Sequence, residues 1–192
     1  MLDRDSALYP LFLYATAVLC WGSTWIVITF QLGEVDPIVS VIYRFFLASL
    51  ILFAICLLMD RPLSASKNEH AGLAIQGVFL FGINYWVVYH SELYITSGLV
   101  AVTFSLLVFF NAINAWLILK KPLSHSLLLA GVVGLLGMSM LFYDEVFGVE
   151  LNENSLKGFG LALLATFLAS FGNIAAVRNE SFSVDLVART AW

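Results

Sequence analysis

Charge is what this sequence has least of. Only 11% of its 192 residues are Asp, Glu, Lys or Arg, against about 25% in a soluble protein. Nine basic residues are spread along the chain with no cluster and the net charge is −4, which excludes a nucleic-acid partner. There are two cysteines, Cys20 and Cys56, both inside apolar runs, so neither a disulfide framework nor a redox pair is expected. The three histidines are far apart and lack metal-ligand spacing. No phosphate-binding loop is present. Gly131-Val132-Val133-Gly134-Leu135-Leu136-Gly137 lies inside an apolar run, where glycines at every third position read as a close-packing helix face. No cofactor is expected.

What fills the chain instead is hydrocarbon: 61% of residues are hydrophobic. Six apolar stretches stand out, over Leu8–Phe30, Ile38–Met59, Gly72–Tyr89, Gly98–Leu119, Leu127–Tyr143 and Leu156–Val177. A crossing helix needs roughly 17–25 mostly apolar residues, and in lipid each backbone amide must be satisfied within its own segment. The sequence thus predicts an all-α, polytopic helical membrane protein with the bilayer as solvent. Ala15-Thr16-Ala17 is a faint cleavage signal, but the apolar run continues past it, so the first span reads as an uncleaved helix.

Basic residues give the expected orientation. Arg4, Arg61, Lys67, Lys120, Lys121 and Arg178 fall on one side and Lys157 on the other. This places the N-terminus, residues 60–71 and residues 120–126 in the cytoplasm. The acids Glu34, Asp36, Glu92, Asp144, Glu145, Glu150 and Glu153 border the outer side and read as solvated loop charge.

An internal similarity organises the spans. Cys20-Trp21-Gly22-Ser23-Thr24 in the first matches Ser170-Phe171-Gly172-Asn173-Ile174 in the sixth, at an offset of 150 residues. Five crossings separate the copies, so the second is inverted, as in many secondary transporters. The sequence reads as a first five-helix repeat over 8–143, an outer acidic loop over 144–155 and the start of a second repeat over 156–192. A chain ending on Arg189-Thr190-Ala191-Trp192 is expected to be a fragment of a protein of about ten helices, its missing second repeat being one partner.

Several motifs resemble the EamA-like branch of the drug/metabolite transporter superfamily. Trp21-Gly22-Ser23-Thr24-Trp25 resembles its opening motif, and Tyr43-Arg44-Phe45-Phe46-Leu47-Ala48 its arginine motif in helix two. Glu92 to Val102 resembles its entry into helix four. Lys121-Pro122-Leu123-Ser124, with Gly131 and Gly137, resembles the following loop and helix five. Two departures stand out. Lys121 stands where the family usually has a glutamate, and Val108-Phe109-Phe110 where it often has a proline, so no role for an acid at that end and no helix-four kink is carried over. The resemblance implies an inner-membrane exporter of small metabolites, amino acids or drugs that works without ATP hydrolysis and is not an enzyme. A noncatalytic multi-span subunit is the alternative. An intramembrane enzyme is disfavoured because no span carries paired aspartates or a serine–histidine pair.

The candidate pathway residues are the polar and aromatic groups left in lipid: Trp21, Ser23 and Trp25 in span one, Arg44 in span two, Asn84 and Tyr85 in span three, and Asn111 and Asn114 in span four. Arg44 either faces a small-molecule pathway, or snorkels or pairs with Glu34 or Asp36. The asparagines either line a cavity or bond a neighbouring helix. Glu92 is the candidate for coupling, which would require a partly buried carboxylate with a raised pKa. In span six, Ala162, Ala165, Ala169, Gly172 and Ala176 form a seam of small residues, predicting close docking against the first repeat.

Overall fold

The computed structural model describes residues 8–192 apart from Leu32, Glu34 and the side chain of Glu145. Arg4 of the charge tally and Glu34, the proposed partner of Arg44, therefore lie outside the described residues. The helices are α1 (Leu8–Thr29), α2 (Pro37–Leu58), α3 (Lys67–Ser91), α4 (Ser97–Leu119), α5 (His125–Leu141), the short α6 (Tyr143–Phe147), α7 (Glu153–Asn179) and α8 (Leu186–Ala191). Among the described residues α1, α2, α3, α4 and α7 are long and apolar enough to cross a bilayer. The fifth expected span is shorter, with 17 residues in α5, about 25 Å at 1.5 Å per residue.

Polar caps set where the helices begin. Asp36 accepts from the Ile38 amide, with Pro37 in the first turn of α2. Ser66 and Glu69 form a reciprocal capping box at α3. Thr96, Ser124 and Asp185 cap α4, α5 and α8, and Asn152 pairs with Ser155 at α7. Each cap satisfies amides that have no partner within the helix. Because these caps lie outside the apolar runs, α3 starts at Lys67 instead of Gly72 and α7 at Glu153 instead of Leu156. The stretch read as an outer acidic loop is also partly helical, through α6.

Two helices depart from regular winding. In α3 the segment Val78–Gly82 is a π-helix, and the Ile83 amide reaches back to the Val78 carbonyl. In α4 the winding is interrupted at Ser105–Leu106, between Ser97–Phe104 and Leu107–Leu119. A continuous helix was expected there, since the family's proline is absent. The Ser105 hydroxyl donates to the Val102 carbonyl at 2.6 Å, and such back-bonding competes with the helical ladder and bends it.

The centre of the bundle is α7, not a helix of the first repeat. It packs on α3 and on both parts of α4. The Ser91 hydroxyl donates to the Gly158 carbonyl at one end of the α3–α7 pair, and the Asn179 amide donates to the Gly72 carbonyl at the other, so the two helices are antiparallel. The small-residue seam is the contact surface: Ala162, Ala165, Ala169 and Gly172 are buried, while Ala176 at its end is half-buried. A Cβ added at Gly172 would sit 2.8 Å or less from the Leu80 backbone nitrogen, Cα and Cβ. The α5 glycines behave otherwise. Gly131 meets Val108 and Phe109 of α4, whereas Gly134 and Gly137 face open space. The expected glycine face is thus close-packed at one position only, because α5 runs along the outside of the bundle with no buried residue. α1 is peripheral too, with Ile28 its one buried side chain among the described residues.

The crossing gives a direct expectation. Gly172→Ala forces the α7 and α3 backbones apart and should destabilise the full-length protein by about 1–3 kcal/mol, as overpacking does. Gly134→Ala, in open space, should leave the melting temperature in detergent within a degree or so of the parent. Equal melting temperatures for the two variants would contradict the crossing.

Candidate functional site

A cavity of about 160 Å³ opens where α1, α3, α4 and α7 converge. From α1 come Trp21, Thr24 and Trp25, with Ile28 one turn beyond, the i, i+3, i+4, i+7 stripe of one helix face. From α3 come Phe81, Asn84 and Tyr85, at and just after the π segment. Phe104 and Leu107 enter from either side of the α4 interruption, and Ala169 and Asn173 from α7. Both irregular helices are therefore irregular beside the cavity, where such features commonly shape a site.

The wall is aromatic. Trp25 meets Phe104 edge-on with ring centroids 5.3 Å apart. Tyr85 meets Phe45 of α2 in the same way at 4.8 Å. Behind that pair stands Arg44, its guanidinium 4.9 Å from the Tyr85 ring and 5.5 Å from that of Phe45. Its Nη2 donates to the Thr24 hydroxyl at 3.4 Å. Arg44 is thus turned into protein toward α1 and α3, resting on aromatic faces that attract cations. Asp36 does not pair with it, being occupied in capping α2.

Two polar atoms at this place have no partner among the described residues: Nη1 of Arg44 and Oδ1 of Asn84. Asn84 is buried, and its amide donates to the Leu80 carbonyl at 3.1 Å, leaving the oxygen unsatisfied. A buried group left unpaired costs about 1–3 kcal/mol, more when charged. Such a group calls for a specific explanation.

Of the expected pathway residues, Trp21, Trp25, Asn84 and Tyr85 lie in one wall, with Arg44 directly behind. Ser23 does not join them. It is exposed and donates to the Cys20 carbonyl, because one residue along a helix is a 100° rotation; Thr24 takes the place expected of it. Asn111 and Asn114 are outside the wall. Asn114 donates to the Ser170 hydroxyl at 2.8 Å, and Asn111 accepts from Asn173 at 3.3 Å, so both tie α4 to α7. The sequence reading missed Thr24, Phe81, Phe104 and Asn173 as wall residues. Asn173 had a signal, as the repeat counterpart of Ser23.

A larger hollow of about 450 Å³ lies between α2, α3 and α8. Its polar groups are already engaged: the Ser49 hydroxyl donates to the Ala191 carbonyl and Arg189 to the Asn179 carbonyl. It carries no unsatisfied atom of the kind found beside Asn84.

Glu92 follows the last residue of α3 and borders an open groove of about 650 Å³ with Asp144, Tyr94 and Thr96. It is not a solvated loop acid. Both of its carboxylate oxygens are buried without a partner among the described residues, and burial pushes its pKa up to about 8. The nearby Lys157 ammonium is engaged elsewhere, donating to the Tyr94 hydroxyl at 2.7 Å.

Comparison with known proteins places the chain in a family. The EamA-like transporter family matches residues 8–143. The chain belongs to that family. Similar proteins include the Bacillus subtilis transporter YoaV, 22% identical over 92% of this chain and 60% of its own length. A transporter encoded in the trpA 3′ region of Buchnera aphidicola is 24% identical over 90% of this chain and 56% of its own length. The protein PagO of Salmonella typhimurium is 26% identical over 48% of this chain and 31% of its own. The chain thus spans a little over half the length of the first two. No solved structure matches. This EamA-like chain is a multi-pass membrane protein, and its family and relatives point to transport rather than catalysis.

The Glu92 carboxyl has a defined consequence. Its pKa is raised by folding from 4.5 to about 8, so the folded state holds the proton more tightly than the unfolded state. Its contribution to stability is complete below pH about 4.5 and is lost as pH rises through about 8. Melting curves of the full-length protein between pH 4 and 9 should fall with pH over that window. Glu92→Gln, neutral throughout, should flatten this component; an unchanged pH slope would show that Glu92 is not the group responsible.

Proposed function

We propose that this chain supplies the substrate cavity of a secondary-active exporter of small metabolites, amino acids or drugs, working by alternating access. The observation that carries the proposal is the wall itself. Trp21 and Thr24 of the first repeat motif and Asn173 of its second copy face one cavity, together with a buried asparagine oxygen that nothing satisfies. A site at the meeting of inverted repeats, formed by irregular helices, suits a transporter that rocks one half against the other. The cavity contributes shape and aromatic surface for an amphipathic molecule. Asn84 and Arg44 contribute its polar contacts. Glu92, at the far end of α3, is the proposed proton carrier for coupling. The protein would lie in the inner membrane with its N-terminus in the cytoplasm.

Transport by the full-length protein in proteoliposomes tests this reading. Asn84→Leu and Trp25→Ala should each lower efflux of a transported compound by tenfold or more at normal membrane abundance, whereas Ser23→Ala should have little effect. Normal efflux in both cavity variants would move the pathway elsewhere. Orientation is tested separately, in a cysteine-free variant carrying one new cysteine at Ser64 or at Asn154. An impermeant thiol reagent should reach the first only from the cytoplasmic side and the second only from outside.

A further inference from the structure

We propose that the cavity selects an organic anion, with Arg44 as the source of the charge preference and Asn84 as the acceptor for a hydroxyl or amine on the same molecule. The inference rests on the transport reading above and adds the chemical class of the substrate. Aromatic walls by themselves would suggest the opposite, because ring faces attract organic cations. Here one wall ring, Tyr85, already carries a cation, and that cation sets the local field. The Arg44 guanidinium lies 4.9 Å from the Tyr85 ring and 5.5 Å from the Phe45 ring, and Tyr85 is part of the cavity wall.

No wall residue is acidic. Among the described residues the one salt bridge joins Arg61 to Asp185, so Arg44 has no carboxylate partner there. Its Nη1 is buried without an acceptor among the described residues. With the guanidinium 4.9 Å from the Tyr85 ring, a ligand stacked on the opposite face of that ring would stand on the order of 8 Å from the charge. At an effective dielectric of about 20, this separation favours an anion over its neutral analogue by roughly tenfold to fiftyfold and disfavours a cation by as much.

Asn84 adds the second requirement. Its amide nitrogen is held by the Leu80 carbonyl, which turns the free oxygen into an acceptor with nothing to accept. A ligand presenting only acceptors would leave it unsatisfied, whereas one carrying an O–H or N–H would not. Both free atoms are closed off in this conformation. The anion is therefore selected first by field, and the hydrogen bonds form as side chains turn toward the occupant. The wall then fits a compact, apolar-bodied carboxylate with one donor group.

The test uses three probes of similar size on the full-length protein in nanodiscs: para-hydroxyphenylpropionate, phenylpropionate and tyramine. Binding is read by quenching of tryptophan fluorescence, to which Trp21 and Trp25 in the wall contribute. The hydroxy acid should bind at least tenfold more tightly than tyramine and a few-fold more tightly than phenylpropionate. Arg44→Gln should abolish the preference for acid over amine, and Arg44→Lys should keep it. Asn84→Leu should erase the difference between the two acids. Tyramine binding as well as the hydroxy acid would overturn the proposal while leaving the cavity in place as a transport site. An acid preference that survives Arg44→Gln would overturn the role of Arg44. If Arg44→Gln fails to fold, the parent protein's acid-to-amine ratio and the lysine variant still decide. No binding by any probe would overturn the proposed substrate class, and loss of efflux for all compounds as well would overturn the transport reading beneath it.

Discussion

The crossing of α7 over α3 at Gly172 and Leu80 is the contact on which the rest of this bundle depends. Lipid gives helices little hydrophobic reason to associate, so close backbone approach and good packing must hold them. The alanine and glycine seam of α7 provides that approach, and among the described residues most of the buried alanines, glycines and serines are on this helix. α1 and α5 bury almost nothing against their neighbours. The unit defined by sequence similarity therefore differs from the unit defined by packing. Five helices match the family over residues 8–143, yet the helix that organises them begins at Glu153. In an inverted-repeat architecture such an exchange is expected, because each half is completed by elements of the other.

Once α7 is in place, polar ties fix its register. Ser91 bonds Gly158 near one end, Asn114 bonds Ser170 and Asn111 meets Asn173 in the middle, and Asn179 bonds Gly72 and Gln76 near the other end. Each such bond in a membrane contributes on the order of 1 kcal/mol. Together they set both the rotation and the height of the helix. The pairing also gives meaning to the exceptions. In a bundle whose buried asparagines find partners, the free oxygen of Asn84, the free nitrogen of Arg44 and the free carboxyl of Glu92 are not general looseness. Among the described residues they lie beside the cavity and at the end of α3 that leads away from it.

The spans were legible because twenty or so apolar residues in a row admit few other structures, and the seam was legible because small residues at spacings of three and four mark one helix face. Helix ends were less so. Caps such as Ser66 and Asn152 are polar residues that an apolar window excludes. The cavity was readable in its composition and blurred in its detail. Trp21 and Trp25 line the cavity, and Thr24 does so in place of Ser23 through the rotation of a single residue. In α3 the π segment breaks the 3.6-residue phase between Gln76 and Asn84, so these two polar residues serve different ends: Gln76 bonds Asn179, whereas Asn84 faces the cavity. Periodicity alone cannot report an extra residue in a turn. Glu92 was read as a loop acid because it lies past the outer end of an apolar run, while its burial comes from the fold around it.

The two proposed roles have a joint electrical consequence. An anion leaving the cell and a proton entering it both move positive charge inward. With one of each per cycle, two elementary charges cross for every turnover. A membrane potential contributes about 2.3 kcal/mol per charge per 100 mV, so such an exchange is driven strongly by an inside-negative potential even without a pH gradient. Uptake of the same anion together with a proton would be electroneutral and indifferent to the potential. Under the two proposed roles, the sign of the charge at Arg44 and the proton at Glu92 would bear on more than which molecule fits. If the cycle is an antiport, an inside-negative membrane would drive the anion outward.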